Sequence, residues 1–223
     1  MPDINQYYEQ YWEKPEEYSD PTTPMRTALI ERHIGHLLKP GTRVLDAGCG
    51  RGEFCSYFAS KGCDAEGIDI SANCIAYARK QHPQCQFHAI PIEAALPARR
   101  HEFDVVFSSE VIEHLFDVGT YLYAINHLLK PGGLLVLTTP YHGLVKNVLI
   151  DLRNYAKHYD PLGQHIRFFN RANLGGCLEL FGFEPQVWSG YGRPWPVWKS
   201  FFVVAKKTSE AVMPSFATQG RHE

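Results

Sequence analysis

The sequence predicts an α/β protein built on a doubly wound, Rossmann-like sheet. Three observations carry this. Apolar runs alternate with helical segments from residue 43 to residue 139, a glycine-rich turn follows the first run, and an aspartate closes the second. RVLDA (43–47), FDVVFSS (103–109) and LLVLTT (134–139) are close to continuously apolar, as parallel strands covered on both faces must be.

The elements follow in order. An aromatic lead (Tyr7, Tyr8, Tyr11, Trp12) precedes a helix from about Pro24 to Leu38. Proline suits a helix start, Ile30, Ile34, Leu37 and Leu38 keep helical spacing, and Lys39-Pro40-Gly41 ends the helix. After strand 43–47 and its glycines, a helix begins near Glu53. DAEGIDI (64–70) is the second strand, and Ser71 offers an N-cap to a helix with Ala72, Ile75 and Ala76 on one side. QFHAI (86–90) and FDVVFSS (103–109) are the third and fourth strands. The next helix places Leu122, Ile125, Leu128 and Leu129 on one face, stops at Lys130-Pro131-Gly132-Gly133, and leads to the fifth strand, 134–139. A helix near Asn170 carries Leu174, Cys177, Leu178 and Phe181, with Gly182 as its stop. FEPQVWSGY (183–191) and KSFFVVAKK (199–207) read as a closing hairpin, Pro185 suiting an edge strand. Trp188, Tyr191, Trp195 and Trp198 either line an apolar pocket or cover the sheet edge, the second being favoured.

The organisation is then an N-terminal aromatic segment and helix (1–40) covering the ligand site, a core domain (41–207) with an insertion at 141–165, and a disordered tail (208–223). The insertion carries Leu144, Val145, Val148, Leu149 and Leu152 at helical spacing. An amphipathic lid helix is expected, its apolar face closing over the reacting substrate; an oligomer interface is the alternative use of that face.

Composition bounds the function. The 223 residues suit one domain, with 44% hydrophobic and 21% charged residues. Lys and Arg total 22 against 24 Asp and Glu, so no general field attracts nucleic acid, and such a partner is not expected. The polar, acidic N-terminus does not read as a signal peptide, and no apolar run reaches the ~20 residues of a membrane span. Six cysteines show no CxxC pair or zinc-like spacing and read as reduced thiols in a cytoplasmic protein. Oligomeric state is left open, a homodimer included.

VLDAGCGRGEF, Val44 to Phe54, is the sharpest signal. Gly48, Gly50 and Gly52 let backbone approach a ligand beyond the first strand. The dinucleotide fingerprint is GxGxxG, but Glu53 stands at the last glycine's position, and Asp46 would repel a pyrophosphate. A zwitterion bearing an ammonium and a sulfonium fits better, Asp46 facing the cationic end. Asp69 is placed to accept from ribose hydroxyls, Ile70 to pack on adenine, and Ile92 and Glu93 to meet the adenine amine. The plain alternatives are a tight turn, a helix cap at Asp69 and a solvated Glu93.

VLDAGCGRGEF, GIDIS, FDVVFSSEVIEHL and LLKPGGLLVLTTP resemble the successive motifs of class I S-adenosylmethionine-dependent methyltransferases, and HIRFFNRANLGGCLELFGFE extends the likeness toward the C-terminus. The resemblance implies seven strands in order 3-2-1-4-5-7-6, the seventh antiparallel. It also implies that Asp46, Ala47, Gly48, Cys49, Gly50, Asp69, Ile70, Ile92, Glu93 and Ser109 bind S-adenosyl-L-methionine.

After the fourth strand comes Glu110-Val-Ile-Glu113-His114. If helical, its two carboxylates and imidazole share one face. The segment is similar to those of ubiquinone-pathway O-methyltransferases and small-RNA 3′-end 2′-O-methyltransferases, where it is associated with a divalent metal. That implies a site of Glu110, Glu113, His114 and His165 for an ion such as magnesium. The alternative is that the glutamates orient backbone and helix ends; His114 or His165 is then the general base, with His142 a weaker candidate. The leading function is O-methylation of a small molecule: a quinone precursor, a catechol or a sugar. RNA 2′-O-methylation, a non-catalytic cofactor-binding subunit and a dehydrogenase are the competing readings.

Overall fold

The computed structural model describes residues 4–96, 98–160 and 163–213, which form a seven-stranded sheet covered by helices. The strands are β1 (Arg43–Ala47), β2 (Asp64–Asp69), β3 (Gln86–Ala89), β4 (Phe103–Ser109), β5 (Leu129–Pro140), β6 (Phe183–Tyr191) and β7 (Ser200–Lys207). The helices are α1 (Ile4–Tyr11), α2 (Thr23–Ile34), α3 (Glu53–Ser60), α4 (Ala72–Gln81), α5 (Val118–Leu128), α6 (Leu144–His158) and α7 (Arg171–Leu180). The order is β3-β2-β1-β4-β5-β7-β6, with β7 antiparallel to both neighbours, as the resemblance implies. Order reverses between β1 and β4, and a crevice opens beyond their carboxyl ends.

Two-residue alternation along the strands divides the core. Leu45, Val106, Leu135, Leu137 and Val203 pack with α5 and α7, while Val44, Val105, Phe107, Val136 and Phe202 pack with α2 and α3. Sequence punctuation set most boundaries. Ser71 accepts from the Cys74 amide to cap α4, and Asn170 accepts from Ala172 and Asn173 to cap α7. Trp188 and Trp198 pack on Phe201, covering the sheet edge.

Four expectations need correction. Lys130 to Gly133 belongs to β5, crossing a register shift between Phe103 and Val105 of β4. The segment after β4 is only a 3₁₀ turn, Ile112–His114. The tail expected to be disordered packs at its start: Ala211 is buried, and its amide donates to Asn126 Oδ1, while Asn126 Nδ2 donates to the Ser209 carbonyl. Residues 214–223 lie outside the described region. The fourth correction concerns the insertion.

Helix α6 forms as predicted but is rotated. Leu144 and Leu152 are 81% and 78% exposed, whereas Lys146 is 7% exposed. Lys146, Ile150, Asn154 and His158 line the cavity beneath, the helix being kinked at Asn154. The reason is polar: the Lys146 ammonium donates to the Lys199 carbonyl at 2.9 Å and sits over the Tyr141 ring. These contacts hold Lys146 inward, and the apolar stripe is left facing out. No helix among the described residues is long and apolar enough to cross a membrane.

Candidate active site

A cavity of about 710 Å³ occupies the crevice between the ends of β1 and β4. The glycine loop forms one side. Gly48 and Cys49 amides donate to the Ile68 carbonyl, folding the loop back on β2. The three glycines have different jobs. A Cβ on Gly48 would strike Val111, and one on Gly52 would lie 2.7 Å from the Phe87 ring. Gly48 and Gly50 both line the cavity, but only at Gly50, at φ +49° with Trp12 nearby, would a Cβ avoid a clash. At Gly48 and Gly52 the absence of a Cβ thus serves close packing against the protein's own side chains.

Asp69 ends β2 and accepts from the Gly50 amide through one oxygen and the Ser71 amide through the other, both at 3.0 Å. Burial pushes its carboxyl up. Asp46 is buried, and desolvation, with Asp69 and Glu53 nearby, raises its carboxyl to about 8 against a thiol hydrogen bond from Cys55. Two acids competing in one crevice favour an incoming cation. Cys49, Ile70, Ile92, Glu93 and Ser109 also line the cavity. Ala47 does not: its side chain lies in the core beneath the loop.

The N-terminal segment forms the roof, with Tyr8, Tyr11, Trp12 and Tyr18 facing inward. Glu9 docks it by accepting the Ala72 and Asn73 amides at the start of α4.

Beyond β4 the two glutamates part. Glu110 adopts φ +55°, which turns its carboxylate to the Tyr191, Thr138 and Ser200 hydroxyls at 3.0, 3.0 and 3.2 Å. Glu113 is fully buried, one oxygen accepting from Thr139 and the other, Oε1, lacking a hydrogen-bond partner. Burial, with Glu110 adjacent, holds its carboxyl well above the usual range. His114 Nδ1 is 3.1 Å from the Gln164 carbonyl, and its Nε2 lies 3.8 Å from Glu113 Oε1. The His165 ring is 4.9 Å from that of His114. One ligand atom from each of Glu113, His114 and His165 falls within 4.8 Å of the others. Glu110 is thus not part of the cluster, because no helix carries it round to that face.

Desolvation lowers His114, and in His165 desolvation with the adjacent His114, His158 and Lys146 does so to about 4. His142 is buried outside the cavity lining, its Nδ1 3.2 Å from Asn147 Oδ1, and desolvation beside Lys146 holds it to about 4. It does not fit a general base.

Sequence reasoning missed Arg26. It is 5% exposed on α2, bonds to Asp20 and Ser109, lies over the Phe54 ring, and lines the cavity. The signal was available: Arg26 stands in the i, i+4 series that continues to Ile30 and Ile34.

A methyltransferase-domain family model matches residues 15–187. This chain belongs to that family. The chain is 41% identical over 157 residues to the ubiquinone biosynthesis O-methyltransferase of Rhodopseudomonas palustris strain HaA2, covering 67% of this chain and 61% of that one. It is 31% identical over 188 residues to the Nitrobacter winogradskyi protein of the same name, covering 77% and 70%. Against four such relatives from Bradyrhizobium and Rhodopseudomonas, the match spans 40% to 61% of their length. In fold it is similar to the 1,6-didemethyltoxoflavin-N1-methyltransferase of Burkholderia thailandensis, solved with bound 1,6-didemethyltoxoflavin and S-adenosylhomocysteine. The TM-score is 0.70 at 21% identity, covering 92% of this chain and 88% of that one.

Proposed function

We propose that this methyltransferase moves a methyl group from S-adenosylmethionine to an oxygen of a small molecule. The observation that carries the reading is one shared cavity, with Gly50 and Asp69 on one side and His114 and His165 on the other. S-adenosylmethionine, when bound, supplies an electrophilic methyl on a sulfonium. The protein's task is to align the nucleophile, exclude water and take up its proton. Asp69 is placed to hold ribose hydroxyls, Asp46 to face the cationic end, and Ile70, Ile92 and Glu93 to surround the adenine. The aromatic roof of Tyr8, Tyr11 and Trp12 keeps water out.

A divalent cation fits Glu113, His114 and His165. Hydrogen bonding of His114 Nδ1–H to the Gln164 carbonyl leaves Nε2 free to coordinate, and Glu113 Oε1 is buried without a partner. Two imidazoles and one carboxylate suit zinc, manganese or iron better than magnesium, which prefers oxygen. Such an ion would lower the pKa of an acceptor hydroxyl. A catechol or sugar diol is the simplest acceptor chemistry.

Calorimetric titration with S-adenosylmethionine tests the first half. Asp69→Ala should bind roughly 10- to 100-fold more weakly, as expected for losing charge-assisted hydrogen bonds. Wild-type affinity in the folded variant would refute the placement. Methyl transfer to catechol, followed by mass spectrometry, tests the second half.

A further inference from the structure

We propose that the acceptor carries an oxyanion, a carboxylate or a phosphate, bound by Lys146, Arg193 and Lys199. This rests on the methyltransferase reading and deepens it.

The three cations come from two separate elements, α6 and the β6–β7 connection, and all line the cavity. None has a carboxylate within ion-pair distance among the described residues. Two carboxylates exert a field there: Glu110 on Lys146 and Asp20 on Lys199. Glu110 is already held by three hydroxyls, and Asp20 is paired with Arg26. The cavity lining also holds acids, but Lys146, Arg193 and Lys199 form a local stretch of positive charge without an ion-paired carboxylate among the described residues.

Lys146 is the decisive residue. A lysine is rarely so buried without a counter-charge, because desolvating an ammonium is costly. Among the described residues its ammonium donates one hydrogen bond, to the Lys199 carbonyl, which leaves further ammonium protons for a ligand. Burial, followed by Arg193 and then Lys199 with Glu110 opposing, pulls it down to about 8, which a bound anion would reverse. Arg193, exposed at the mouth, offers a planar fork matched to carboxylate or phosphate.

The rotation of α6 points the same way. Its cavity face presents the polar Lys146, Asn154 and His158 beside Ile150, while Leu144, Val145 and Leu152 face solvent. A purely apolar acceptor would desolvate these polar groups without replacing their water. Lys146 and His165 line the same cavity, so an anion held at Lys146 shares it with the candidate reacting groups.

The test is equilibrium binding to the protein loaded with S-adenosylhomocysteine. The probes are 3,4-dihydroxybenzoate against 3,4-dihydroxybenzamide, and phenyl phosphate against phenol. The anion of at least one pair should bind roughly tenfold or more tightly than its neutral partner. The tighter anion identifies the carboxylate or phosphate source. Lys146→Met and Arg193→Ala should each reduce that preference while keeping S-adenosylhomocysteine affinity, and added salt should weaken it. Equal binding within both pairs, no binding by either anion at millimolar concentration, or a preference retained in both variants would overturn the proposal. Failure of the wild type to bind S-adenosylhomocysteine would instead strike the underlying reading, so the two failures are distinguishable.

Discussion

A β-carbon on Gly48 would lie 2.4 Å from Cγ2 of Val111. The glycine loop after β1 and the segment after β4 are therefore in van der Waals contact. Gly48 also sits at φ +82°, a conformation other residues adopt at a cost of about 1–3 kcal/mol. Gly48→Ala should weaken S-adenosylmethionine binding and displace the turn carrying Glu113. The double variant with Val111→Ala should regain part of the affinity, because the clash is removed while the backbone strain stays. Calorimetry on the double-mutant cycle checks this; strictly additive losses would show the contact to be irrelevant.

Asp46 predicts a pH dependence. Its folded pKa of about 8 lies above its ordinary value of 3.8, so the empty protein holds a proton there at neutral pH. A cationic ligand favours the carboxylate and expels that proton. Affinity for S-adenosylmethionine should rise between pH 6 and 8, by at most about tenfold per unit, and level off above. For folding the sign is opposite: the native state binds more protons, so Asp46's contribution to stability falls as pH rises from about 4 toward 8. Asp46→Asn should flatten both profiles, and titrations across this range are the check.

Glu113, His114 and His165 predict metal dependence. Activity should fall with a chelator and return with zinc or manganese. Glu113→Gln and His165→Ala should each lose turnover by roughly 100-fold or more while binding S-adenosylmethionine normally. A metal-free preparation running at the full rate would sink this reading.

Deleting Leu144 to Tyr159 with a short linker should spare cofactor binding and abolish transfer, since it removes Lys146 and exposes the cavity. A deletion variant with the normal methylation rate would show that α6 is not a lid.

Asn126 predicts a stability effect. It is fully buried and satisfies the Phe181 and Ser209 carbonyls and the Ala211 amide. Asn126→Ala should destabilise by about 2–3 kcal/mol, because those groups lose their partners. Urea unfolding measures it, and limited proteolysis should show cleavage after Lys207.

What the sequence by itself determined is local. The strand runs, Ser71 and Asn170 as caps, Asp46 and Asp69 beside the glycine loop, and the existence of α6 all follow from short-range patterns, where backbone chemistry and periodicity act within a few residues. The strand order also agreed, though it came through resemblance. Only tertiary structure decided the rest. Arg26 reaches Ser109 across the fold, and Glu113 meets His165 through chain remote in sequence. The positive φ at Glu110 split a motif that would be one face of a helix. Rotation of α6 was likewise invisible. Its apolar stripe predicts a helix, but Lys146 is held inward by the Lys199 carbonyl, and no periodicity within residues 144–158 encodes that distant partner.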